Sequence, residues 1–278
     1  MVKNMEITEI IKEAMIFPSK DLAKLAIYIV LSIIAALLAI VGIALFAIGL
    51  VDEPVFALLG FIILIAGIIL GFVITGYQVS ILKSGIEHTE SLPAFDWKGN
   101  LITGIKYLIV NIVYFIIPAI IVLILAWVTN IFGMAQTMFN QMMEASIAAN
   151  TTVYFADVVP QSLIISFGNA LIIVGVIAFI LFVIFAIIQT MGISRLAKTD
   201  SLGDAVNIPE AFKDIGRIGW GKVLAIVILI FIIIAVINVV INGLNSYING
   251  ISLLSIVVTP YLIFFANRAT GLLYSDIA

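Results

Sequence analysis

No cysteine occurs in the 278 residues, so disulfides, thiol catalysis and thiolate metal sites are excluded. Histidine is almost as scarce. His88 stands alone in the polar run Glu87-His88-Thr89-Glu90, and one histidine beside two carboxylates, without a second, gives no metal-ligand pattern. Charged residues make up only 10% of the chain, against roughly 25% in soluble domains. The formal net charge of −3 is small and calls for no nucleic-acid partner. No Ser-His-Asp set and no pair of catalytic carboxylates can be built. The glycines of Gly216-Arg217-Ile218-Gly219-Trp220-Gly221 match neither a P-loop nor a dinucleotide fingerprint. The expectation is a chain that is not an enzyme and that carries no cofactor and no metal. Glu6, Glu9 and Glu13 stand where a signal peptide would be basic, so no cleavable leader is expected.

What the chain does contain is apolar sequence. Hydrophobic residues are 64% of it, where roughly 45–50% is usual, so hydrocarbon must be its solvent. A helix crosses the bilayer in roughly 20 apolar residues. Six stretches meet that length, at about 25–51, 55–82, 104–127, 163–191, 223–242 and 251–274. The fold class expected is all-α: one integral membrane domain, 1–278, folded as a bundle of six transmembrane helices. Ahead of it, residues 6–17 place Ile7, Ile10, Ile11 and Ala14 on one helical face and Glu6, Glu9, Lys12 and Glu13 on the other, the pattern of an amphipathic helix on the membrane surface. Pro18 ends it. In the second span Gly60, Gly67, Gly71 and Gly76 recur, with Gly67 and Gly71 in G-x-x-x-G spacing; small residues one turn apart admit a neighbouring helix of the same chain.

Orientation follows from the 13 basic residues. Lys3, Lys12, Lys20 and Lys24 precede the first span. Lys83, Lys98 and Lys106 flank the first long loop; Arg195, Lys198, Lys213, Arg217 and Lys222 flank the second. Arg268 lies toward the same end of the sixth span. The loops at the other end hold Asp52, Glu53, Glu144 and Asp157, and the excursion over 129–162 has no Lys or Arg. Retention of positive charge inside then places both termini in the cytoplasm of a multi-pass cell-membrane protein. Trp97, Tyr107 and Trp220 near the inner boundaries, and Trp127 and Tyr247 near the outer ones, fit an interfacial aromatic belt.

The two long inner loops echo each other. Leu92-Pro93-Ala94-Phe95 leads to Gly104-Ile105-Lys106, and Ile208-Pro209-Glu210-Ala211-Phe212 leads to Gly221-Lys222, with Pro-to-Lys spacing of thirteen in both. Glu13-Ala14-Met15 to Lys24 is a looser third copy. Three units result, each an inner segment followed by an out-and-back hairpin, as in parallel repeats about the membrane normal. Phe17-Pro18-Ser19-Lys20-Asp21, Glu90-Ser91-Leu92-Pro93-Ala94-Phe95-Asp96 and Pro209-Glu210-Ala211-Phe212 also carry a resemblance. The chain resembles the archaeal and bacterial membrane proteins grouped as domain of unknown function four thousand and thirteen. That resemblance implies a multi-pass membrane protein and brings no established activity and no catalytic residues.

A charge inside the membrane is costly and marks function, yet none is expected near a midplane. Arg268 comes closest, and its long stem lets it snorkel to the inner interface. The remaining polar candidates are Asn111, Asn238 and Thr259, with Gln78 beside them; Asn238, Asn242, Asn245 and Asn249 share one helical stripe. These groups, with Pro118 and Pro260, either tie helices together or line a polar passage. Met134, Met138, Met142 and Met143 recur at helical spacing beside Phe132 and Phe139, reading as an amphipathic interfacial helix rather than a copper site. Asn150-Thr151-Thr152 fits the N-x-T glycosylation pattern on the outer side. Two functional readings follow. The first is a non-enzymatic protein acting through membrane lipid and a protein partner on the cytoplasmic face. The second is a small-solute transporter or channel without proton coupling.

Overall fold

The computed structural model describes residues 5–51, 53–149, 154–245, 247 and 250–278. Among the described residues it is helical without strands. The helices are α1 (Ile7–Ile16), α2 (Leu22–Val51), α3 (Pro54–Ile86), α4 (Trp97–Val128), α5 (Ile131–Ala149), α6 (Phe155–Val158), α7 (Gln161–Thr199), α8 (Leu202–Ala205), α9 (Ile208–Ile218), α10 (Trp220–Asn245) and α11 (Ser255–Tyr274), with 3-10 turns at Phe17–Lys20, Ile251–Leu254 and Ser275–Ile277. Six of them, α2, α3, α4, α7, α10 and α11, are long and apolar enough to cross a membrane. Their outward side chains say the same: Leu58, Phe179 and Phe231 are 60%, 70% and 70% exposed, which only hydrocarbon tolerates in such numbers.

The helices overrun the expected spans at their basic ends. α3 continues to Ile86 and α4 already begins at Trp97, so the first inner loop is only about half as long as the sequence pattern implies. The reason is local. The Asp96 carboxylate accepts the Gly99 N–H at 3.0 Å, and the Asp96 carbonyl accepts that of Asn100 at 2.7 Å, a cap that starts the helix early. α2 starts the same way. Lys24 N–H donates to the Asp21 carboxylate at 3.1 Å, which holds that carboxyl below its ordinary value of 3.8.

The chain forms two compact units, one of Met1–Asn111 with Ile188–Ala278 and one of Ile112–Ile187. In the second, Ala126, Ile131, Ala170 and Val174 form the core with Met134 and Phe167 against it, and Phe115 stacks on Phe182 at 5.8 Å. The Met-bearing segment is helix α5, with Met138 buried.

In the first unit α2 and α3 form a close hairpin. A Cβ on Gly49 would meet Ala57 N at 1.9 Å, one on Gly60 would meet Phe46 N at 2.3 Å, and one on Gly42 would meet Leu64 N at 2.8 Å. Gly67 also faces α2, but Gly71 has nothing within 4 Å. The working small residues are thus seven apart, Gly42 and Gly49 against Gly60 and Gly67, a seam along which the helix backbones approach closely. At the basic end Gly271 of α11 crosses α3, where its Cβ would lie 2.1 Å from Leu82 O. Beneath that crossing Phe17, Tyr28, Tyr77, Leu92 and Phe264 form the core. Phe95 stacks on Tyr77 at 3.8 Å and 5°, and Tyr77 Oη donates to Pro93 O at 3.0 Å.

The three inner segments of the repeat differ locally: α1 and α9 are helices, whereas 87–96 is not. Their lysines nevertheless act alike. Lys24 Nζ donates to Leu92 O at 2.6 Å, just past the end of α3. Lys106 Nζ donates to Asp200, both O at 2.7 Å and Oδ1 at 2.8 Å, just past α7. Lys222 Nζ binds Asp276, just past α11. In each copy the lysine at the base of the outgoing helix reaches the segment that follows the returning one.

Candidate functional site

Polar chemistry in the first unit gathers where α3, α7 and α11 end and α10 begins. Three ionic centres form there, and they hold the two amphipathic helices α1 and α9.

Arg268, on α11, is 2% exposed. Its Nη2 and Nε donate to Glu13 on α1 at 2.7 and 3.1 Å, and Nη1 donates to the Ser84 Oγ at 3.1 Å as well as to the Ser84 carbonyl. The guanidinium lies 4.1 Å from the Phe17 ring centroid, and Lys20 Nζ stands 3.8 Å from Glu13. Tyr261 Oη adds a bond to Met15 O at 2.6 Å. Arg268 thus makes interhelical contacts, joining α11 to α1 and α3. The side chain turns inward because a carboxylate, a carbonyl and a ring satisfy it inside the protein, which open water would not improve.

Asp214 on α9 is the second centre, at 1% exposure. It accepts Arg195 Nη1 at 2.7 Å, Arg217 Nη1 at 2.7 Å and Tyr274 Oη at 2.9 Å. Arg195 Nε also donates to Asp204 O at 3.0 Å. Around it α9 is strongly amphipathic. Asn207 caps it through Glu210 N–H at 3.2 Å, Ala211 and Ile215 are buried, and Phe212 and Trp220 meet edge to face at 5.2 Å on the exposed side. Glu210 accepts Lys213 Nζ at 2.7 Å, and that bond holds its carboxyl below the ordinary 4.5. The third centre is Lys222 with Asp276.

Asp214 and Glu13 were absent from the sequence candidates, although Asp214 had a signal. It falls on the Ala211-Ile215-Ile218 stripe of α9, where a charge has no place unless it is paired.

Two cavities open among polar residues of this end, the first of them against the Arg268 centre. One, of about 400 Å³, is lined by Lys12, Lys20, Glu9, Glu90, His88 and Arg268 among others. Another, of about 220 Å³, is lined by Ser80, Lys83, Asp96, Asn100 and Asp200 among others; Asn100 is 3% exposed, its Oδ1 accepts Ser80 Oγ at 3.1 Å, and its Nδ2 has no hydrogen-bond partner among the described residues. Among the described residues no group of three or more His, Asp and Glu is placed to hold a metal ion.

The candidates inside the spans do not gather. Asn111 accepts Gln189 Nε2 at 2.6 Å and donates to Tyr107 O at 2.8 Å, an interhelical tie between α4 and α7. Gln78 Nε2 donates to Tyr28 Oη at 2.7 Å. Asn238 donates to Ile234 O of its own helix and is exposed. Thr259 is exposed and lies one turn inside α11, next to Pro260. Neither cavity is lined by Asn111, Asn238 or Thr259. Asn150, the glycosylation candidate, and Asn249 of the asparagine stripe lie outside the described residues.

A family model described as "Protein of unknown function (DUF4013)" matches residues 59–246, which include Asp214, Arg195 and Arg217 but not Tyr274, Glu13, Arg268 or Asp276. No curated protein and no solved structure matches the chain.

Proposed function

We propose, for a chain that belongs to the family of unknown function DUF4013, that it is a non-enzymatic membrane protein working through lipid and protein contacts at its basic end. We place it in the cell membrane with both termini cytoplasmic, because all the described Lys and Arg fall at one end of the spans. The observation that carries the reading is the contrast between that end and the spans. At the basic end α1 and α9 are clamped by ion pairs whose partners Arg268 and Asp214 are almost wholly buried, and α9 presents Phe212, Lys213 and Arg217 outward. Within the spans the polar side chains are spent on single ties, of the order of 0.6 kcal/mol each.

The absence of native cysteine makes the test clean. Single cysteines at Asn111, Asn238 and Gln189 are exposed in native membranes to a small water-soluble thiol reagent, with the exposed His88 and Lys213 as surface controls. The expected result is labelling of the controls and protection of the three. Labelling of all three, together with solute uptake by reconstituted vesicles, would overturn the reading in favour of a small-solute transporter without proton coupling.

A further inference from the structure

An apolar groove of about 470 Å³ runs between α1 and α10, walled by Ile7, Ile11, Met15 and Ile16 on one side and Leu229 on the other, with Lys12 at its edge. Its size lies within the roughly 300–1,000 Å³ of small-molecule sites. Leu229 is nine residues beyond Trp220, about 13 Å along the helix at 1.5 Å per residue, so its wall reaches acyl-chain depth in a hydrocarbon core about 30 Å thick. Lys12 and Ile16 also line the neighbouring 400 Å³ cavity. An apolar slot and a charged chamber therefore share one lysine, which is the shape of an amphiphile. The chamber carries both signs. Arg268 is engaged by Glu13, and Lys20 stands near the same carboxylate. Lys12 is exposed, and among the described residues no ion pair holds it. Glu9 and Glu90 line the same chamber, where they suit an amine and oppose a headgroup that is purely anionic.

We propose that this groove and chamber form a binding site for a phospholipid whose headgroup carries an amine. One acyl chain lies along Ile11, Met15 and Leu229, the phosphate meets Lys12, and the amine faces Glu90. The assignment rests on the lipid-contact reading above and names its lipid.

The test is photo-crosslinking of the full chain in vesicles doped with a diazirine-acyl lipid in three forms: phosphatidylethanolamine, phosphatidylglycerol and diacylglycerol. Peptide mass spectrometry reads labelling of α1 and Leu229 relative to the exposed α7 face at Ile172 and Phe179. Phosphatidylethanolamine should raise that ratio about fivefold over diacylglycerol, the scale of one lysine near a lipid phosphate. Lys12→Glu should return it to the diacylglycerol level, and Leu229→Trp, which fills the slot, should abolish it. A ratio that ignores the headgroup, or that is highest for phosphatidylglycerol, overturns the site. Either result leaves the thiol-labelling experiment unaffected, so failure here and failure of the contact reading are separable.

Discussion

Removing either partner of the Glu13–Arg268 pair breaks the same hydrogen bonds, yet the two substitutions should differ in cost. Arg268 is 2% exposed, so Glu13→Met strands a guanidinium inside the protein with Lys20 nearby. Loss of one partner from a buried pair costs about 3–5 kcal/mol. Because the Glu13 side chain is 25% exposed, solvent screening lowers the expected cost to about 2–3 kcal/mol. The reverse change, Arg268→Met, leaves a carboxylate that already reaches water and has Lys20 Nζ at 3.8 Å. The Ser84 carbonyl keeps its bond from Thr89 N at 3.0 Å. Only the cation–π contact and the charged hydrogen bonds are lost, about 1–2 kcal/mol. The double substitution removes the stranded charge and should cost less than Glu13→Met alone. Reversible unfolding in mixed detergent and SDS micelles, followed by tryptophan fluorescence, measures all three. Equal single costs, with a double equal to their sum within about 0.5 kcal/mol, would refute the claim that the buried arginine sets the energetics of α1 docking.

The glycine seam predicts a second asymmetry: Gly60→Ala, which drives a Cβ into the Phe46 backbone, should cost about 1–3 kcal/mol in the same unfolding assay, whereas Gly71→Ala should be neutral or slightly stabilising. Asp214→Ala removes the shared acceptor of Arg195, Arg217 and Tyr274 and should release α9, seen as faster proteolysis after Lys213 and Arg217; Asp214→Asn should lie between it and the native chain. The pH response of α9 has a definite sign. The Glu210 carboxyl is held below 4.5, so its contribution is complete above that value and is lost only as pH falls through the lower folded value. Trp220 emission, sensitive to the Phe212 contact, should be flat from pH 7 to 4.5 and change below it, and Glu210→Gln should remove the step.

The architecture was legible because it follows from composition and period. Six apolar runs longer than a bilayer is thick give six helices, and Ile7, Ile10, Ile11 and Ala14 give α1 with Ile10 and Ala14 buried. The site was less legible because it is made by long-range pairing. Glu13 and Arg268 stand 255 residues apart, and taken singly each looks like a surface residue at a membrane boundary. The G-x-x-x-G spacing misled in detail for a related reason. Gly67 and Gly71 share a helix face by sequence, but which glycines are used depends on where α2 crosses, and that is set by Gly42 and Gly49 across the turn. Asn111 pairs with Gln189 of another helix, a partner 78 residues away that no local pattern reveals. Asn238 turns back to its own Ile234 carbonyl, the fallback open to any polar side chain on a helix in hydrocarbon.

Three lysine contacts at the basic end share one electrostatic logic. Lys24, Lys106 and Lys222 each stand near the base of an outgoing helix, and each binds the chain just after the returning one. An out-and-back hairpin brings a helix C-terminus, with its unpaired carbonyls and negative end of the dipole, beside the start of the outgoing helix. The lysines bind acceptors beyond those helix ends, the Leu92 carbonyl in the first hairpin and an aspartate, Asp200 or Asp276, in the other two. The lysines on which the proposed orientation rests are thus among the charges that close the hairpins. A copy of the hairpin inserted the other way up would place that lysine on the wrong side of the membrane, so topology and packing select the same residue at the same position.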